Sequence, residues 1–194
     1  MTHAHRTLLK WARLVHVYLT LFGCLLILFF AITGFILNHE EWFGTDGPHI
    51  TTAQGTVPTG LLQKPDKLEI VELLRKDYGV RGTLEAFDVD EDRLRVVFKG
   101  PGRSDEAEIQ RADGQMTVTH ESRGVVGLVT DLHRGKSTGP TWALVIDGVC
   151  VLLLIVSTTG LILWQSLRSR GRYGLVVMAL GLGVGVGVFY LFVP

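Results

Sequence analysis

Residues 14–37 read LVHVYLTLFGCLLILFFAITGFIL, and residues 142–164 read WALVIDGVCVLLLIVSTTGLILW. Each run exceeds the about 20 apolar residues that a helix needs to cross about 30 Å of hydrocarbon. Each also closes on nearly the same phrase, Thr33-Gly34-Phe35-Ile36-Leu37 in the first and Thr159-Gly160-Leu161-Ile162-Leu163-Trp164 in the second. A histidine stands at the opposite end of each run from that phrase, His16 in the first and His133 just ahead of the second. A third run, 174–193, is shorter but still long enough to span. The fold class that follows is a membrane α-helical protein with three transmembrane helices, at 14–37, 142–164 and 174–193. The first run is read as retained, because it is too long for a signal-peptide core and leads into Asn38-His39-Glu40-Glu41-Trp42.

Charge asymmetry sets the orientation, since Lys and Arg near short flanks stay cytoplasmic. Arg6, Lys10 and Arg13 lie in the tail 1–13, Arg168, Arg170 and Arg172 lie in the loop 165–173, and neither segment has an acidic residue. Both are read as cytoplasmic. All the acidic residues except Asp147 fall in 38–141, which is read as the periplasmic part of a bacterial inner-membrane protein. The 19 basic and 19 acidic residues therefore cancel only in the total. No basic patch on the soluble part suggests a nucleic-acid partner. Cys24 and Cys150 fall inside spans and are read as packing residues, not as half of a disulfide framework.

The stretch 38–141 is too long for a loop and suits one small domain. After a Gly-, Thr- and Pro-rich linker from Thr45 to Pro65, the spacing of Leu68, Ile70, Val71, Leu73 and Leu74 predicts an amphipathic helix ending near Tyr78-Gly79. Leu84, Phe87 and Val89, then Leu94, Val96 and Phe98, alternate with polar residues across the turn Asp90-Glu91-Asp92, which predicts a hairpin. Gly100-Pro101-Gly102 and Asp113-Gly114 mark two more turns around strands at Ala107 to Arg111 and Met116 to Thr119. A small α+β domain results, a helix on an antiparallel sheet. It is followed by an amphipathic, interfacial helix near 124–134 carrying Val125, Val126, Leu128, Val129 and Leu132.

The chain resembles the PepSY-associated transmembrane proteins. The resemblance is carried by Leu14-Val15-His16 opening the first span, Thr33-Gly34-Phe35-Ile36-Leu37-Asn38-His39 closing it, Asp131-Leu132-His133-Arg134-Gly135 ahead of the second, and Thr159 to Trp164 closing that. The middle looks like one PepSY unit. Larger relatives include haem-containing reductases that release iron from ferric siderophores, so the resemblance implies haem b, one or two groups, ligated by histidines at the span ends.

Placement along the spans points to the same residues. His39 lies just past the outer end of the first span and His133 just before the second, so the two share a depth at which they either ligate one haem iron or sit as ordinary interfacial histidines. Asp131 or Glu40 would orient such a ring through its other nitrogen. His16 lies one turn into hydrocarbon, where an ionisable side chain marks a functional site by default. Some 35 Å of helix separates it from His39, so the two do not share an iron. A second haem at His16 would take its other ligand from His16 of a second subunit, from Met178, or from His3 or His5. A structural His16 would pair with Ser157, Thr158 or Thr159. Gly34, near His39, and Gly160 either clear room for a porphyrin face or serve close helix packing. Gly181, Gly183, Gly185 and Gly187 suit helix association and a homodimer. Asp147, if protonated or paired, either relays protons or bonds a haem propionate; otherwise it hydrogen-bonds a neighbouring helix.

Two functions of different classes follow. One is a b-type haem membrane protein that takes electrons from the inner membrane or quinone pool to a periplasmic acceptor such as a ferric chelate. The other is a non-catalytic, membrane-tethered PepSY module that binds an exported peptidase or partner protein.

Overall fold

The computed structural model describes residues 3–43, 47–166 and 171–194, without the side chains of 171 and 172. Arg168 and Arg170, the start of the linker at Thr45 and the side chain of Arg172 lie outside the described residues. Among the described residues, three helices are long and apolar enough to cross a membrane: α1 (His3–Asn38), α5 (Pro140–Gln165) and α6 (Gly171–Phe192). α1 begins eleven residues before the apolar run: the tail that carries Arg6, Lys10 and Arg13 is helical and continuous with the span. Nothing in its sequence breaks a helix, and Thr7 back-bonds to the carbonyl of His3 at 3.1 Å.

Two compact units divide the chain, one formed by 1–27 with 147–194 and the other by 28–146. In the first, α1 meets α5 where Gly23 faces Leu152; a Cβ at Gly23 would stand 2.6 Å from Leu152 Cδ1, so only a glycine admits that leucine. Val149 and Leu152 are buried there, and Trp164 fills the space over Gly174 of α6. The rest of α6 is uncovered: Gly181, Gly183, Gly185 and Gly187 have nothing within 4 Å of a built Cβ. Cys24 and Cys150 are free and exposed on the outside of their helices, not packed.

The second unit holds the extramembrane domain. Its elements are a 3-10 turn at Glu40–Phe43, β1 (His49–Thr56), α2 (Thr59–Gln63), α3 (Lys67–Asp77), β2 (Thr83–Val89), β3 (Arg93–Gly100), β4 (Arg103–Gln110), β5 (Gln115–Ser122) and α4 (Gly124–Arg134). The five strands form one antiparallel sheet in the order β1-β5-β4-β3-β2. α3 starts on Asp66, whose carboxylate accepts from the amides of Leu68 and Glu69, and it lays Ile70, Val71 and Leu74 on the sheet. The alternation in β3 and β4 aims Leu94, Val96, Phe98, Ala107 and Ile109 into that core, all of them 0–1 % exposed. The predicted helix, hairpin and turns are thus present. The predicted linker is instead mostly structured as β1 and α2: His49 to Thr56 pairs along its length with β5, yet it reads HITTAQGT and buries little because it is an edge strand.

α4 occupies the interfacial stretch and ends on Gly135 at φ 70°, where the left-handed conformation closes the helix. The β3–β4 turn rests on it at Gly102 (φ 69°), so close that a Cβ would stand 2.6 Å from the amide nitrogen of Leu128.

Candidate functional site

Two histidines, His16 on α1 and His133 on α4, are each held by a Thr-Gly phrase that closes a candidate span, Thr159-Gly160 of α5 and Thr33-Gly34 of α1. In the 28–146 unit, His133 on α4 points its Nδ1 at the hydroxyl of Thr33 on α1, 2.9 Å away. Thr33 is 3 % exposed and donates its own hydroxyl proton to the carbonyl of Phe29, 2.7 Å away. With that proton committed, Thr33 Oγ1 accepts, and the proton between the two side chains belongs to His133 Nδ1. The ring edge fills the space beside Gly34: a Cβ there would be 3.0 Å from His133 Cε1. Phe30 packs on the same ring at 5.5 Å between centroids.

In the other unit, His16 on α1 repeats the arrangement against α5. Its Nδ1 lies 3.0 Å from the carbonyl of Val156 and 3.1 Å from Thr159 Oγ1. A carbonyl only accepts, so Nδ1 carries the proton. Thr159, like Thr33, spends its hydroxyl proton on a carbonyl four residues back, that of Ile155 at 2.7 Å. A Cβ at Gly160 would stand 3.3 Å from His16 Cε1. Of the three hydroxyls expected as structural partners, Thr159 is the one that meets the ring.

The consequence is chemical. A neutral imidazole protonated at Nδ1 presents an unprotonated Nε2 with its lone pair free, the form in which histidine binds metals, and an Nδ1–H bonded to a carbonyl or oxygen is the usual support of such a ligand. Neither Nε2 has a hydrogen-bond partner among the described residues. One such nitrogen at each site is a donor of the kind that haem iron takes from a proximal histidine. The space at Gly34 and Gly160 is filled by the edges of these imidazoles.

The remaining sequence candidates lie elsewhere. His39 stacks flat on Trp42, 3.8 Å between centroids and 15° apart, beside Phe35, and its Nε2 receives Asn38 Nδ2 at 3.5 Å. No ring contact joins it to His133. Asp131 does not orient His133: its Oδ2 accepts from the amide of Gly102 at 2.9 Å and from Arg123, which ties the β3–β4 turn to α4. Glu40 pairs with Arg134 at 3.6 Å. Met178 is half exposed on α6, Asp147 is exposed on α5, and His3 and His5 sit in the first turn of α1.

One polar cluster gave no sequence signal. Asp105 on β4 is 0 % exposed and accepts from the amide of Arg81 at 2.8 Å, from Arg103 at 3.0 Å and from His120 Nδ1 at 3.0 Å. It completes the hydrogen bonding at one end of the core, on the face that Phe98 shares across β3 and β4.

A family model described as putative PepSY_TM-like matches residues 9–194, and the chain belongs to that family. No curated protein and no solved structure matches it.

Proposed function

We propose that this PepSY_TM-like chain is a b-type haem protein of the bacterial inner membrane, in which His16 and His133 each offer Nε2 to an iron. The observation that carries this reading is a shared geometry: two histidines in or beside membrane spans, each with Nδ1 within hydrogen-bond distance of the threonine of a Thr-Gly phrase and neither with a partner at Nε2 among the described residues. Haem supplies one-electron transfer when bound. The chain's own residues do the rest: Thr33 and Thr159 fix the ring orientation, Gly34 and Gly160 admit the ring edges, and the apolar surroundings of the spans exclude water.

No second histidine or methionine contacts either ring among the described residues, so a haem held by either histidine would take any second protein ligand from another copy of the chain. The direction of transfer is from the quinone pool, across or along the inner membrane, to a periplasmic acceptor such as a ferric chelate, with the amino terminus cytoplasmic and the sheet domain periplasmic.

Purified full-length protein, expressed with haem precursor supplied, should be red and show a Soret band that moves on dithionite reduction. His16→Ala and His133→Ala should each lower haem per folded protein, whereas His39→Ala should leave it unchanged. Colourless protein would overturn the proposal. It would favour the second reading, a tethered binding module, for which the exposed edge strand β1, with Ile50 59 % exposed, offers a place to add a partner's strand.

A further inference from the structure

A cleft of about 170 Å³ opens between the β3–β4 hairpin and the segment that joins α4 to α5, and Lys99, Arg103, Arg123 and Lys136 line it. Two carboxylates line it as well, Asp131 and Glu121, so the four cations leave the lining two charges positive. Part of that charge is already used. Arg103 Nη2 is bound to Asp105, Arg123 to Asp131, and Lys99 reaches Glu85 at 3.6 Å. What is left over is specific: Arg103 Nε is buried without a partner, Asp131 Oδ1 is buried and accepts nothing, and Lys136 and Glu121, of opposite charge, have no ion pair among the described residues. A ligand that satisfies all three carries an anion for the Arg and Lys donors and a hydroxyl that donates to the carboxylate.

Position narrows the class. Ser137, on the cleft wall, stands three residues before Pro140, the first residue of the α5 span. Trp142 in the first turn of that span donates its Nε1 proton to the carbonyl of Leu132 at 2.8 Å, which ties the end of α4 to the span. α4 in turn leaves Val125 (73 % exposed) and Leu128 uncovered by the chain, as an interfacial helix does. The cleft therefore opens at headgroup level, where basic pockets beside spans take lipid phosphates.

We propose that this cleft binds the phosphate of an anionic phospholipid headgroup, with Lys99, Lys136 and Arg103 on the phosphate and Asp131 receiving a headgroup hydroxyl, as phosphatidylglycerol provides. This does not depend on haem. The test uses full-length protein in nanodiscs of phosphatidylcholine, alone or with phosphatidylglycerol, and with inorganic phosphate added to the first. Lipid retained on release is read by native mass spectrometry and thermal midpoint by fluorescence. Wild type should retain phosphatidylglycerol in preference to phosphatidylcholine. K99Q/K136Q, which spares the Arg103–Asp105 and Arg123–Asp131 pairs, should lose about 30-fold in that preference, and K99R/K136R should keep it. Equal retention by wild type and K99Q/K136Q would overturn the proposal. Stabilisation by inorganic phosphate without any lipid preference would overturn the lipid assignment and leave a site for soluble phosphate esters.

Discussion

Thr33 and Thr159 do the same job with different insurance, and that difference is measurable. His133 Nδ1–H has Thr33 as its one acceptor, whereas His16 Nδ1–H also has the Val156 carbonyl. Thr33→Val should therefore cost about 1–3 kcal/mol at most, since the donor left unpaired on the ring of His133 is part-buried. Thr159→Val should cost about 0.6 kcal/mol, near the mean for one interhelical hydrogen bond in a membrane protein. Unfolding in mixed micelles reads both, and equal costs would contradict the assigned geometry. Nitrogen-15 spectra should report the Nδ1–H tautomer at both rings in wild type and its loss at His133 alone in Thr33→Val. Gly34→Ala should also disturb His133 more than Gly160→Ala disturbs His16, because the added methyl meets the ring at 3.0 Å in one case and 3.3 Å in the other. The sequence displayed these residues plainly as a histidine at one end and Thr-Gly at the other end of two runs. It did not show which histidine meets which phrase, because Gly34 is near both His39 in sequence and His133 in space, and only helix pairing decides between them.

At the scale of elements, α3 is held at its start by one carboxylate. Asp66→Ala removes the acceptor for two amides, so hydrogen exchange at Leu68 and Glu69 should quicken and α3 should lose about 1 kcal/mol of opening free energy, with β3 and β4 unaffected. β3 was legible because strict alternation of Leu94, Val96 and Phe98 marks a strand with a buried face, whereas β4, expected over Ala107 to Arg111, begins earlier, at Arg103, and ends at Gln110. β1 was not. Its threonines favour extended backbone, but with Ala53 as its one packed apolar side chain it carries no period to read, and its strand character comes from pairing with β5, a long-range effect. The Asp105 cluster was hidden for a related reason: a charged residue in a strand reads as solvent-facing until the fold brings Arg103, His120 and the amide of Arg81 to it. The same domain holds an exposed pair, Arg95 with Glu106, in which the hydrogen bond to Glu106 chiefly, then its charge, raises the guanidinium pKa above its ordinary value. Arg95 is charged at every working pH in any case, so stability should show no titration from it.

For the whole molecule, the chain itself covers little of its spans. Over an apolar stretch of 18 residues, α1 is 11 % buried, α5 17 % and α6 not at all. Lipid covers some of that surface, but the proposed ligation asks for a second copy, and α6 is the face with the closest approach still open, since its four alternating glycines meet nothing. Small residues spaced by four let helix backbones come together in hydrocarbon. Purified protein should therefore run as a dimer or larger by light scattering in detergent, and Gly183→Leu with Gly187→Leu should shift it toward monomer by filling the groove. Haem makes the outcome decisive. If the second axial ligand comes from another copy, the monomerised variant should keep His16 and His133 in place yet lose haem or turn from low-spin to high-spin, because one axial bond is gone. A monomer that retains a low-spin spectrum would show that each iron finds both ligands in one chain. The orientation can be read on fusions of the same protein: if the basic flanks of α1 and of the 165–173 segment are cytoplasmic, a phosphatase fused at Gly100 should be active and one at Ser169 inactive.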